Sequence, residues 1–173
     1  MTITPDDKDW TWVLTQPCAE CGFDAATVTG PQVAGRLRAE LPLWHAVLSA
    51  GQAEVRPDPE TWSPLEYAAH VRDVCTIFTT RLDLMLTQDD PMFANWDQDA
   101  TAVEQDYGSQ DPAVVSAEFV AAAGVLADQF DAVEGEQWSR TGRRSDGAVF
   151  TVDTFSRYFL HDIVHHGADL MAH

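Results

Sequence analysis

Basic residues are scarce in this sequence. Ten Lys and Arg stand against 28 Asp and Glu, giving a net charge of −18 and a pI near 4.3. A nucleic-acid surface needs clustered cations to neutralise phosphates, so nucleic acid is not an expected partner. An anionic membrane surface is disfavoured on the same ground. Long apolar runs are also lacking, and none approaches the ~18 residues of a membrane span. The opening MTITPDDKDW carries neither the basic nor the apolar region of a secretory signal, so a cytoplasmic location is expected. Three cysteines, Cys18, Cys21 and Cys75, are too few and too odd in number for a disulfide framework. No internal repeat or low-complexity tract is present.

What is present suits a single packed domain. Hydrophobic residues make up 45% of 173, enough to bury a core, and the length fits one domain spanning 1–173. Residues 1–28 read as an irregular N-terminal extension. A first helix is expected from Thr29-Gly30-Pro31, with Leu37, Leu41, Trp44, Val47 and Leu48 on one face and Pro42 as a kink point. The second opens at Ser63-Pro64-Leu65-Glu66, which has the form of a capping box, and should reach about Leu86. An acidic, aromatic connection from Gln88 to Gln110 follows, with a short helix expected between Asp97 and Tyr107. A third long helix should run from Asp111-Pro112 to about residue 133. A second connection, whose Phe150–Val152 part reads as extended, leads to a last helix from Asp153 or Thr154 to about Met171. This order predicts an all-α four-helix bundle with a long crossover between its second and third helices.

Chemistry concentrates in histidines. His161 and His165 stand four apart in the last helix, so both rings share a face and can grip one metal ion. His166 points some 100° away by helix geometry and is expected outside that ligand set. His70 lies inside the second helix among apolar residues, where an unpaired ring would be costly, and supplies the expected third ligand. Glu66 and Asp73 flank it, either of them able to orient the ring, although Glu66 also completes the capping box. The alternatives are a His70 satisfied within the core and a chance pair in a His-rich tail.

Arg140, Arg143, Arg144 and Arg157 gather before and on the last helix. Arg144 and Arg157 can anchor an anionic substrate, or all four can pair internally with the abundant carboxylates. Trp96, Asp97 and Asp99 can line a cleft from the crossover, or Trp96 can cover the bundle end. Cys18 and Cys21 form a CxxC. Two cysteines alone do not complete a zinc site, so a structural role stands beside a second metal or redox site. Cys75 reads as a small buried hydrophobe.

Two segments resemble a known family. Trp62-Ser-Pro-Leu-Glu66-Tyr-Ala-Ala-His70 is similar to the start of the second helix in the DinB/YfiT superfamily of metal-dependent enzymes. His161-Asp-Ile-Val-His165 is similar to that family's last-helix HxxxH, and the order and spacing of the two segments also match. The resemblance implies an up-down-down-up bundle of DinB-like topology and one divalent ion, zinc or nickel, on His70, His161 and His165. The opening Trp10-Thr-Trp12 and Pro17-Cys-Ala-Glu-Cys21 resemble an actinobacterial-type branch. Some relatives in the family are thiol transferases or isomerases that use a low-molecular-weight thiol such as mycothiol or bacillithiol. The resemblance therefore implies a metal-dependent thiol S-transferase with mycothiol as co-substrate. A metal-dependent hydrolase and a non-enzymatic metal- or ligand-binding, stress-linked protein are the alternatives. A homodimer is in keeping with related bundles.

Overall fold

Each long helix begins where a side chain can take over the orphaned amides of its first turn. The computed structural model describes residue 3 and residues 9–172. Its helices are α1 (Gly30–Leu48), α2 (Pro64–Thr87), α3 (Gln98–Glu104), α4 (Pro112–Asp131) and α5 (Val152–Met171). At α2 the Glu66 amide donates to Ser63 Oγ at 3.2 Å and the Ser63 amide to Glu66 Oε2 at 2.8 Å, completing the expected capping box. Asp111 Oδ1 accepts from the Ala113 and Val114 amides at the head of α4. Thr151 Oγ1 caps α5 through the Thr154 amide. Pro42 is carried inside α1 without ending it.

α1 and α2 each pack against both α4 and α5, so the core is a four-helix interior closed by aromatic pairs. Phe78 on α2 stacks on Phe155 of α5 with ring centroids 4.5 Å apart. Trp44 of α1 meets Phe119 of α4 edge-on at 5.6 Å. α4 is Ala- and Val-rich, and by length and composition it is apolar enough to cross a membrane, with mean hydropathy 1.4 over its best stretch. That corrects the expectation that no run comes near this length. Here α4 lies against α1 and α2, with Leu126 and Phe130 buried.

A three-stranded sheet is the element the helical reading did not foresee beyond Phe150–Val152. Met92–Phe93 (β1) pairs in parallel with Thr141–Arg144 (β2), which pairs antiparallel with Val149–Thr151 (β3). It draws both long connections to one end of the bundle. Gly142 makes the close approach possible, since a Cβ there would lie 2.7 Å from Met85 Cγ and 3.1 Å from Phe93 Cε1. Arg140 then reaches the end of α2, donating to the Met85 and Gln88 carbonyls at 2.7 and 2.5 Å, which satisfies acceptors that a helix terminus leaves open.

Candidate metal centre

The C-terminal helix carries two overlapping i, i+4 pairs, His161/His165 and Asp162/His166. One residue step is about 100° on a helix, so the two pairs open onto neighbouring faces, and the surrounding elements decide what each meets. Toward Asp162 and His166 comes α2 with His70. Toward His161 and His165 comes the N-terminal segment with Cys18 and Cys21. In each set the ligand atoms lie within 4.8 Å of one another.

The structure thus divides the three expected histidines between two sets. His70 stands with Asp162 and His166, while His161 and His165 stand with the cysteines. His166 lies outside the His161/His165 set and stands with His70 for a geometric reason, namely that α2 approaches α5 on the 162/166 face. The signal was present in the sequence, because His161-Asp-Ile-Val-His165-His166 holds a second metal-type pair one residue out of step with the first.

In the first set, His70 Nε2 is 3.6 Å from Asp162 Oδ2, and His166 Nε2 is 3.7 Å from Asp162 Oδ1. These separations exceed a hydrogen bond. They resemble the ~3.3 Å edges between ligands on an ion with bonds of about 2.0–2.1 Å. His70 is wholly buried, and neither of its ring nitrogens nor Asp162 Oδ2 has a hydrogen-bond partner. The His70 ring stacks flat on Trp96, 5.4 Å between centroids and 4° between planes. Burial holds the His70 imidazole below its ordinary value and so neutral. Burial pushes the Asp162 carboxyl up, but the surrounding His70, His166 and His161 more than offset this and hold it down to about 2. An ionised carboxylate beside a neutral buried imidazole is a donor pair ready for a cation. Asp169 Oδ2 lies 3.0 Å from His166 Nδ1, the arrangement by which a carboxylate orients a ligating histidine.

In the second set, Cys18 Sγ is 3.7 Å from His165 Nδ1, and the Trp10 ring covers both His161 and His165 at 5.4 and 4.8 Å. Burial, with the neighbouring His165 second, lowers the His161 imidazole to about 4. Burial pushes the Cys21 thiol up to about 11.

Both sets border one cavity of about 280 Å³ lined by residues that include Trp10, Trp96, Arg144, Tyr158, Asp162 and His166. Trp96 lines the cavity, as one reading expected, and also stacks over His70, whereas Asp97 caps α3 through the Ala100 amide. Arg144 borders the cavity. It is held by Asp146 at 2.8 Å and donates to Tyr158 Oη at 3.2 Å. Arg157 does not border it; that side chain donates to Asp153 Oδ2 at 2.5 Å and to the Ala25 carbonyl at 3.1 Å. Arg143 pairs with Asp90. Three of the four arginines, Arg143, Arg144 and Arg157, pair with carboxylates, Arg140 is held by backbone carbonyls instead, and Arg144 alone of the four also faces the cavity.

Comparison with known proteins sets this geometry in a family. The profile of the DinB superfamily matches residues 34–170, which includes all five helices except the first turn of α1 and the last residue of α5. No curated protein sequence matches the chain. Among solved structures, YfiT from Bacillus subtilis superposes with a TM-score of 0.68 at 18% identity, covering 99% of this chain and 93% of its own. YfiT is described as a probable metal-dependent hydrolase with an unusual four-helix bundle topology. The four-helix bundle of DinB type expected from the sequence is the fold observed.

Proposed function

This chain belongs to the DinB superfamily, and on that premise we propose that it is a metal-dependent enzyme, a hydrolase, with its ion on His70, Asp162 and His166. The observation that carries the reading is the His70 ring. Both nitrogens are buried without a partner, at a cost of roughly 1–3 kcal/mol for each such group, and Nε2 faces an ionised carboxylate across a gap too long for a hydrogen bond. A cation on Nε2 would remove the cost at that atom. Two imidazoles and one carboxylate match the donor set of hydrolytic zinc sites. Zinc or nickel there would supply a Lewis acid able to lower the pKa of water to about 7 or to take the proton from a thiol.

The protein's own residues define the rest. Trp96 shields the ligand set from water on the α2 side. Arg144 and Tyr158 present donors to the cavity, and Arg144 is one of few cations in an acidic chain, which favours a substrate with an anionic group. The cavity volume of about 280 Å³ suits a small substrate. The second reading, S-transfer with a low-molecular-weight thiol such as mycothiol, draws support from Arg144, which could hold a carboxylate-bearing thiol.

The test is the metal content of tag-free protein beside His70→Ala and Asp162→Ala, followed by a panel of small esters, amides and electrophiles, with and without thiol. Turnover in water that is lost in both variants supports hydrolysis. Turnover that appears only with added thiol moves the reading to transfer. Unchanged metal content and unchanged turnover in both variants would sink the site, and bound metal without turnover in either arm would leave a metal-binding protein.

A further inference from the structure

We propose that Cys18, Cys21, His161 and His165 form a separate structural zinc site that staples the N-terminal segment to the C-terminal helix. Four protein ligands, two thiolates and two imidazoles, make a closed tetrahedral set. Cys18 Sγ to His165 Nδ1 is 3.7 Å, against ~3.6 Å for a sulfur–nitrogen edge built from bonds of about 2.3 and 2.0–2.1 Å. His161 is almost fully buried, and its Nε2 has no hydrogen-bond partner, which is costly for a buried polar atom unless it ligates.

The chain builds the cysteine half as a tight knuckle. The Cys18 amide donates to the Phe23 carbonyl and the Gly22 amide to the Cys18 carbonyl, each at 2.8 Å. Gly22 sits at φ +76°, a conformation glycine adopts without strain. The other side of the site is also prepared. With His165 Nδ1 facing Cys18, its Nε2 lies 3.4 Å from Glu20 Oε2, so a carboxylate stands behind a ligating histidine in the manner that fixes tautomer and orientation.

Thiolate and imidazole donors select zinc over magnesium, calcium or manganese. Binding releases the two thiol protons, and two thiolates then neutralise the dication, so the buried site carries no net charge. The site answers a structural need. Residues 9–28 contain only two short 3₁₀ turns, Trp10–Leu14 and Ala25–Thr27, and no sheet pairing fixes them to the bundle. It lies on the face of α5 next to the one that meets His70, uses none of that centre's ligands, and is independent of the reading given for that centre.

Cobalt(II) substitution of the full-length, reduced, tag-free protein tests it by absorption. The expected result is a near-ultraviolet thiolate-to-cobalt band that persists in His70→Ala and disappears in Cys18→Ser/Cys21→Ser. Absence of that band from the wild-type protein, or its survival in the double cysteine variant, overturns the proposal. Should the double variant not fold, thiol modification of the wild-type protein decides. Zinc should slow labelling of Cys18 and Cys21 by about tenfold or more, because labelling follows thiolate access. An unchanged rate overturns the site. The outcomes are separable, since loss of metal in His70→Ala alone reports on the other centre.

Discussion

His70 on α2 and Asp162 on α5 approach to 3.6 Å, nitrogen to oxygen, and leave both atoms without a hydrogen bond. This gap sets the first prediction. In metal-stripped protein His70→Leu should be neutral or raise Tm, because it removes two unsatisfied buried nitrogens, each worth roughly 1–3 kcal/mol, against some loss of packing. With metal present the order reverses. The wild type gains about 2.7 kcal/mol at a free concentration a hundredfold above Kd, and the variant gains none at this centre. Melting curves with chelator and with zinc, on a background lacking Cys18 and Cys21, would show the crossing. A wild type insensitive to zinc there contradicts the assignment.

Glu66 gives a pH dependence. Burial raises its carboxyl, but the Arg56 guanidinium and the Ser63 amide and hydroxyl outweigh this and leave it below the ordinary value. A folded value below the unfolded one means that the ionised form stabilises the fold above the ordinary carboxylate range. That stabilisation is lost as pH falls through the folded value. Glu66→Gln keeps the form of the capping box but removes the charge that pairs with Arg56, so it should lower Tm at neutral pH, and the difference from wild type should shrink under acid. A Tm difference constant from neutral pH into the acid range would refute this account.

The helices were legible because their signals are local. Ser63-Pro64 and Asp111-Pro112 state their caps within four residues, and the observed starts fall where those signals place them. Of the sheet, only the extended stretch at Phe150–Val152 was legible, overlapping β3. β1 contributes two residues, and its partner β2 lies some fifty positions away, so the pairing has no local periodicity. The histidines fall between these cases. His70, His161 and His165 all lie in metal-type sets, but the one-residue phase between 161/165 and 162/166 is decided by how α2 sits on α5. The same holds for the cysteines, whose partners are about 140 residues distant.

The contact between the sheet and α2 predicts opposite effects for two glycines. Gly142→Ala places a methyl within 2.7 Å of Met85 Cγ and should cost about 1–3 kcal/mol as overpacking. Gly124, inside α4, has no atom within 4 Å of a built Cβ, so Gly124→Ala should stabilise by ~0.5–1 kcal/mol through helix propensity and a less flexible unfolded chain. Denaturant melts of the two single variants give the signs directly. An unchanged Gly142→Ala would mean that the sheet does not seat on Met85 as described, and a destabilised Gly124→Ala would contradict the open space beside α4.

The two arginines expected to anchor anions should now separate. Arg144 faces the cavity beside Tyr158, whereas Arg157 ties Asp153 to the Ala25 carbonyl. Asp153 in turn accepts from the Gly30 amide at 2.8 Å, so Arg157 belongs to a brace joining the head of α1, the N-terminal segment and α5. Arg157→Ala should lower Tm and leave KM for an anionic substrate unchanged. Arg144→Ala should raise KM for anionic substrates by about tenfold, the ~1.4 kcal/mol of one charge-assisted contact, and leave neutral substrates nearly untouched. Arg144→Lys should restore only part of the loss. A single ammonium cannot hold Asp146 through two nitrogens and also reach Tyr158, as the planar guanidinium does. If anionic and neutral substrates suffer alike, Arg144 is a structural prop of the cavity wall and the anionic requirement falls, while the metal centre on His70, Asp162 and His166 is unaffected.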